Sequence, residues 1–142
     1  MAELDTETLS QIAHNVEFAI RELGALVDFP FGLNKESVAW VEGFVERQRE
    51  SGNAEPGGGL HSVIGSYLGE AIIAATGGCW DESEHGIGVL FSNGSKCFPF
   101  AKVGKQFENG AEGGDSMLSF YNVAVDQVAT GKLLDASKEQ SE

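Results

Sequence analysis

The densest group of side chains able to do chemistry is Asp81, Glu82, Glu84 and His85, with Cys79 just ahead of it. A transition-metal site needs His and Cys donors that converge. Along a strand and turn, neighbouring side chains alternate between faces, so these four point apart and read as solvated strand-end charges. No metal is expected here. Gly78-Cys79-Trp80 offers a thiol, but a thiol nucleophile needs a helix amino terminus beneath the sulfur and a histidine well downstream as base. Cys79 follows a helical segment, and the only later histidine is His85, in a turn, so the thiol reads as a small hydrophobe. His61 and Glu70 are an acid and base in type, yet their separation of about two and a half helical turns keeps them apart. Glu70 shares a side with Val63 and Tyr67 and is expected to enter a structural ion pair with a lysine such as Lys102.

Gly57-Gly58-Gly59 precedes a helix without the Gly-Lys-Ser/Thr of a phosphate loop, without a glycine fingerprint and without a strand before it. Residues Asn109 to Asp115 have the composition of a calcium loop but lack alternating oxygen ligands and a closing bidentate Glu. No cofactor is expected.

The 142 residues carry 9 Lys+Arg against 22 Asp+Glu, a formal charge of −13. Such a surface repels phosphate backbones, so nucleic acid is not an expected partner. The charge is uneven: no Lys or Arg occurs from Glu50 through Ser95, a span that holds Glu70, Asp81, Glu82 and Glu84. A cationic surface suits that segment. Lys96, Lys102 and Lys105 form the local basic cluster, too small for nucleic acid and placed to meet carboxylates. No apolar run approaches the eighteen or so residues of a membrane span. The acidic start and two cysteines predict a cytoplasmic protein with reduced thiols.

Leu9, Ile12, Val16, Ile20 and Leu23 recur at helical spacing, with Asp5 or Thr6 as cap, and the pattern stops near Pro30. Asn34 caps a second helix whose buried stripe is Val38, Val41, Phe44 and Val45, with Trp40 at its edge and Glu42, Glu46, Arg47 and Arg49 in water. Residues 51–59 read as a flexible Gly/Pro linker. Leu60 to Thr76 is a third helix, apolar around more than half its circumference and therefore central. Gly65 and Gly69, one turn apart, each cost about 1 kcal/mol of helix propensity and require a close neighbour as compensation.

After Gly77-Gly78 the period becomes that of strands at Cys79–Ser83, Gly86–Phe91 and Lys96–Phe100. An Asn93-Gly94 turn pairs Phe91 with Lys96, Leu90 with Cys97, Val89 with Phe98 and Ile87 with Phe100. In this meander Cys79 and Cys97 lie on non-adjacent strands, too far apart for a disulfide. A short helix carrying Lys102, Lys105 and Phe107 ends at Asn109-Gly110. Asp115 caps a last helix running to about Thr130. The expected fold is α+β, a single domain over residues 1–134 with a solvated, disordered tail from Asp135.

The segments Ile64-Gly65-Ser66-Tyr67-Leu68-Gly69-Glu70, Gly77-Gly78-Cys79-Trp80 and Phe98-Pro99-Phe100-Ala101-Lys102-Val103-Gly104-Lys105 together resemble a bacterial family of unknown function. That family carries a Leu-Gly-x-x-Leu-Gly-Glu helix, a Gly-x-Trp strand and a Phe-Pro-Phe segment followed by spaced lysines. The resemblance spans roughly Trp40 to Tyr121, with Ile64 in place of the commoner Leu. It implies a compact α+β domain and carries over no catalytic residue. By size and charge the chain is also similar to small immunity proteins that block a toxin by binding it.

The expected function is non-enzymatic binding of a basic protein partner, with Glu70, Trp80, Asp81, Glu82, Glu84 and His85 as candidate contacts. The alternative is a small ligand-binding or enzymatic domain with a cleft near Glu70, Trp80, Asp81 and His85. A third reading is a homo-oligomer paired through exposed aromatics.

Overall fold

The computed structural model describes residues 4–52 and 59–129. The expected linker, except at its two ends, and the expected tail lie outside the described residues. The element order is α1 (Thr6–Gly24), α2 (Lys35–Glu50), α3 (Gly59–Thr76), β1 (Cys79–Ser83), β2 (Gly86–Leu90), β3 (Lys96–Cys97), α4 (Pro99–Asn109) and α5 (Met117–Ala129). Among the described residues the architecture is α+β: three helices, an antiparallel sheet in the order β1-β2-β3, then two helices.

Both early helices start at short polar caps. The Asp5 carboxylate accepts the Thr8 N–H at 2.7 Å, and Asn34 Oδ1 accepts that of Ser37 at 2.9 Å. Helix α1 buries Ile12, Val16, Ala19 and Leu23, while Leu9, at the head of the expected stripe, stands exposed. Helix α2 buries Val38, Val41 and Val45.

Helix α3 is central, packing against α1, α2, α4, α5 and β2. Its run Ile64 to Gly69 is buried without a break, as befits a helix covered on all sides. The cost of its two glycines is met by aromatic rings seated on the bare backbone. A Cβ at Gly65 would overlap the Phe100 ring, and one at Gly69 the Trp80 ring. Those two rings lie tilted against each other with centroids 5.7 Å apart. Gly77, at φ +78°, ends the helix.

In the sheet, Cys79 and Cys97 sit on non-adjacent strands and no disulfide joins them. The β2–β3 register is displaced by one residue from that expected, pairing Leu90 with Lys96 and Val89 with Cys97. The loop explains the shift. Phe91 N–H donates to Ser95 O at 2.8 Å, closing a three-residue loop in which Gly94 takes φ +91° and Asn93 Oδ1 accepts the Ser95 N–H. Asn-Gly thus ends a three-residue loop instead of centring a two-residue one. The third strand stops at Cys97 because Pro99, with its fixed φ, opens α4. The inward face is therefore Trp80, Ile87, Val89 and Cys97, and Phe100 reaches the core from a helix.

Helix α4 ends at Gly110, φ +82°, whose N–H returns to Gln106 O at 2.8 Å. Asp115 does not cap α5. It lies 3.2 Å from Lys102 Nζ and accepts from Asn109 Nδ2 at 3.0 Å, and Ser116 Oγ takes the capping role by accepting the Ser119 N–H at 3.1 Å. Glu42, Glu46 and Arg49 also depart from the solvated positions expected of them. Glu42 Oε1 accepts the Leu118 N–H at 3.0 Å and the Ser116 hydroxyl. Glu46 Oε2 accepts from Gln106 Nε2 at 2.8 Å and from the Ala111 N–H at 3.1 Å, while Arg49 Nε donates to Phe107 O at 3.1 Å. Gln106 is fully buried, and its Oε1 accepts the Met117 N–H at 3.0 Å. The polar face of α2 is therefore a clamp on the α4–α5 connection.

Candidate functional site

Alternation along β1 sends Trp80 and Glu82 to the inward side and Cys79, Asp81 and Ser83 to the other. Each candidate residue then meets a different environment. The Trp80 indole N–H donates to Glu70 Oε2 at 2.7 Å, so Glu70 is occupied by the tryptophan, and Lys102, its expected partner, is engaged by Asp115. Asp81 is 5% exposed, and Lys96 Nζ stands 2.7 Å from its Oδ2. This is an ion pair without hydrogen-bond alignment. It links β1 to β3 past Gly88, the residue paired with Asp81, which has no side chain to intervene.

Glu82, Glu84 and His85 stand exposed around the tip of the β1–β2 hairpin. The His85 ring meets Phe98 edge-on at 6.4 Å, and its backbone N–H donates to Ser83 Oγ at 3.3 Å. Among the described residues no carboxylate at this tip forms an ion pair, whereas Arg21, Arg49, Lys96 and Lys102 each sit on a carboxylate elsewhere. The candidate set thus divides in two. Glu70 and Trp80 join α3 to the sheet, Asp81 pairs with Lys96 within it, and Glu82, Glu84 and His85 stand exposed at the hairpin tip.

His61 is remote from acid–base partnership with Glu70: its Nε2 lies 2.8 Å from Phe100 O and its ring meets Phe107 edge-on. Among the described residues no group of three or more His, Cys, Asp or Glu is arranged to hold a metal ion. None of their helices is long and apolar enough to cross a membrane.

A cleft of about 980 Å³ opens away from the expected position, between α1 and the first half of α3. One wall is the α1 stripe Thr8, Gln11, Asn15 and Phe18, and the other is Leu60, Val63 and Ser66, with Ile87 and Phe100 closing the sheet end. Gln11 Nε2 donates to Asn15 Oδ1 at 3.1 Å, and Asn15 Nδ2 donates to Ser66 Oγ at 3.1 Å, a polar ladder in a cleft whose α1 side also carries His14, Glu17 and Arg21. None of Glu70, Trp80, Asp81 or His85 lines it. The sequence signal was present in Asn15, which lies beside the buried stripe, and in Ser66, a hydroxyl in the apolar run of α3. Their meaning depends on α1 and α3 lying side by side.

Family models, curated proteins and solved structures give no match to this chain.

Proposed function

We propose that the protein acts by binding a basic partner protein, with Glu82 and Glu84 at the β1–β2 tip as its charged contacts. The observation that carries this reading is that these two carboxylates are exposed and unpaired among the described residues, on a chain of net charge −13. Complementary charge of this kind raises association rates and sets partner choice. Asp81 and Glu70 support the tip from within, so the contact surface is narrower than the acidic segment as a whole. An immunity-like role, with the partner a toxin held inactive, is the form of this reading that size and charge suggest.

The test is capture of basic proteins from the source cell at low salt by wild type, by Glu82→Gln/Glu84→Gln and by Glu108→Gln/Glu112→Gln. The last variant removes the same charge from exposed positions elsewhere. The expected result is a basic protein retained by wild type and by the control pair, released by moderate salt, and lost with the tip pair. Equal retention by all three proteins removes the tip from the account.

A further inference from the structure

We infer that the α1–α3 cleft is the apolar half of the same docking surface, and that it receives an amphipathic, Lys/Arg-rich segment of the partner. This inference rests on the basic-partner reading and extends it from a charged tip to a built groove. The connection is Ile87, which closes the sheet end of the cleft and stands directly opposite Glu82 across the β1–β2 ladder. Opposed side chains on one face of an antiparallel pair lie about 5 Å apart, so the apolar groove runs directly into the acidic tip.

The shape and chemistry fit a helical or extended segment. From Thr8 to Arg21 the α1 wall extends about 20 Å, the length of a three- to four-turn helix. Phe18 is 46% exposed on that wall, and the Arg21 guanidinium, 5.6 Å from its ring centroid, is itself paired with Glu22 at 3.0 Å. Gln11 and Asn15 put side-chain amides among the apolar residues, able to read a peptide backbone or a polar side chain. A segment presenting apolar residues to the groove and Lys or Arg toward Glu82 and Glu84 satisfies both halves at once.

The probe is a synthetic Leu/Lys peptide of about 14 residues with leucines at helical spacing, compared with a scrambled isomer and with oligolysine of equal length. The expected result is that the patterned peptide perturbs the amide resonances of Asn15, Phe18, Ser62 and Val63 together with Glu82 to His85, and binds at least about fivefold tighter than the scrambled isomer. Phe18→Glu separates the two halves: it adds negative charge, which strengthens purely electrostatic binding, but puts a carboxylate in an apolar groove, which weakens docking there. Ser62→Trp, at another exposed position of the cleft, obstructs it without changing charge. Each is expected to weaken the patterned peptide about fivefold while leaving oligolysine binding undiminished.

Perturbations confined to the hairpin tip, with Phe18→Glu binding as tightly as wild type, overturn the groove and leave the basic-partner reading standing. Failure of every cationic probe to bind at low salt counts against both. Self-association abolished by Ser62→Trp assigns the groove to a second copy and also overturns the inference.

Discussion

Lys96 Nζ lies 2.7 Å from Asp81 Oδ2, and this ion pair ties the first strand of the sheet to the third. Its side chains are 17% and 7% exposed. Asp81 therefore differs in kind from Glu82 beside it, although the two are adjacent carboxylates in the same acidic stretch. Lys96→Met leaves a buried carboxylate unpaired and is expected to cost about 3 kcal/mol, the lower end for buried pairs because Lys96 keeps some contact with water. The double variant Asp81→Asn/Lys96→Met should recover part of that loss. Urea unfolding of the two single variants and the double variant gives the coupling directly.

Gly69→Ala sets helix propensity against packing. Alanine favours the helix by about 1 kcal/mol, but its methyl group would occupy the space of the Trp80 ring, and overpacking of this kind costs about 1–3 kcal/mol. A net loss of thermal stability is expected in wild type. In a Trp80→Leu background the same substitution should be neutral or stabilising.

The Asn109 hydrogen bond and the Lys102 ammonium hold the Asp115 carboxyl below its ordinary value. A carboxyl with a depressed folded value contributes stability that is present above about pH 4 and is lost as pH falls through the folded value. Asp115→Asn should therefore lower the urea midpoint at pH 7 and narrow its difference from wild type toward pH 3.

Glu42 closes the amino end of α5 through the Leu118 N–H and the Ser116 hydroxyl. Glu42→Ala leaves both donors without that acceptor and should cost about 1–2 kcal/mol, and Glu42→Gln, which keeps a carbonyl oxygen, should cost less. Amide exchange at Leu118 should accelerate more in the alanine variant than in the glutamine variant.

Local chemistry was the legible part of this fold. Asp5, Asn34 and Pro99 act within a few residues of themselves, though the strand character of Lys96 to Phe98 hides that Pro99 opens a helix. The centrality of α3 was legible from its apolar circumference, and the partners of Gly65 and Gly69 were required in kind without being identified. The strand order of the meander is legible, but its second register is not, because loops of two and three residues share the same Asn-Gly pair. Glu42 and Glu46 read as solvated because their partners, Ser116, Leu118, Gln106 and Ala111, are sixty or more residues away. At the candidate site, Asp81, Glu82 and Glu84 were indistinguishable as sequence. Lys96, brought across the sheet, separates the buried one from the exposed two.

The most direct measurement of the central claim is titration calorimetry of the captured basic partner, purified, at two ionic strengths, with wild type, Glu82→Gln/Glu84→Gln and Glu108→Gln/Glu112→Gln. Rim charges are worth about 0.2–1 kcal/mol each, so the tip pair should weaken binding roughly two- to thirtyfold at low salt and flatten its salt dependence, while the control pair changes little. Equal affinities and equal salt slopes for all three proteins would contradict the account.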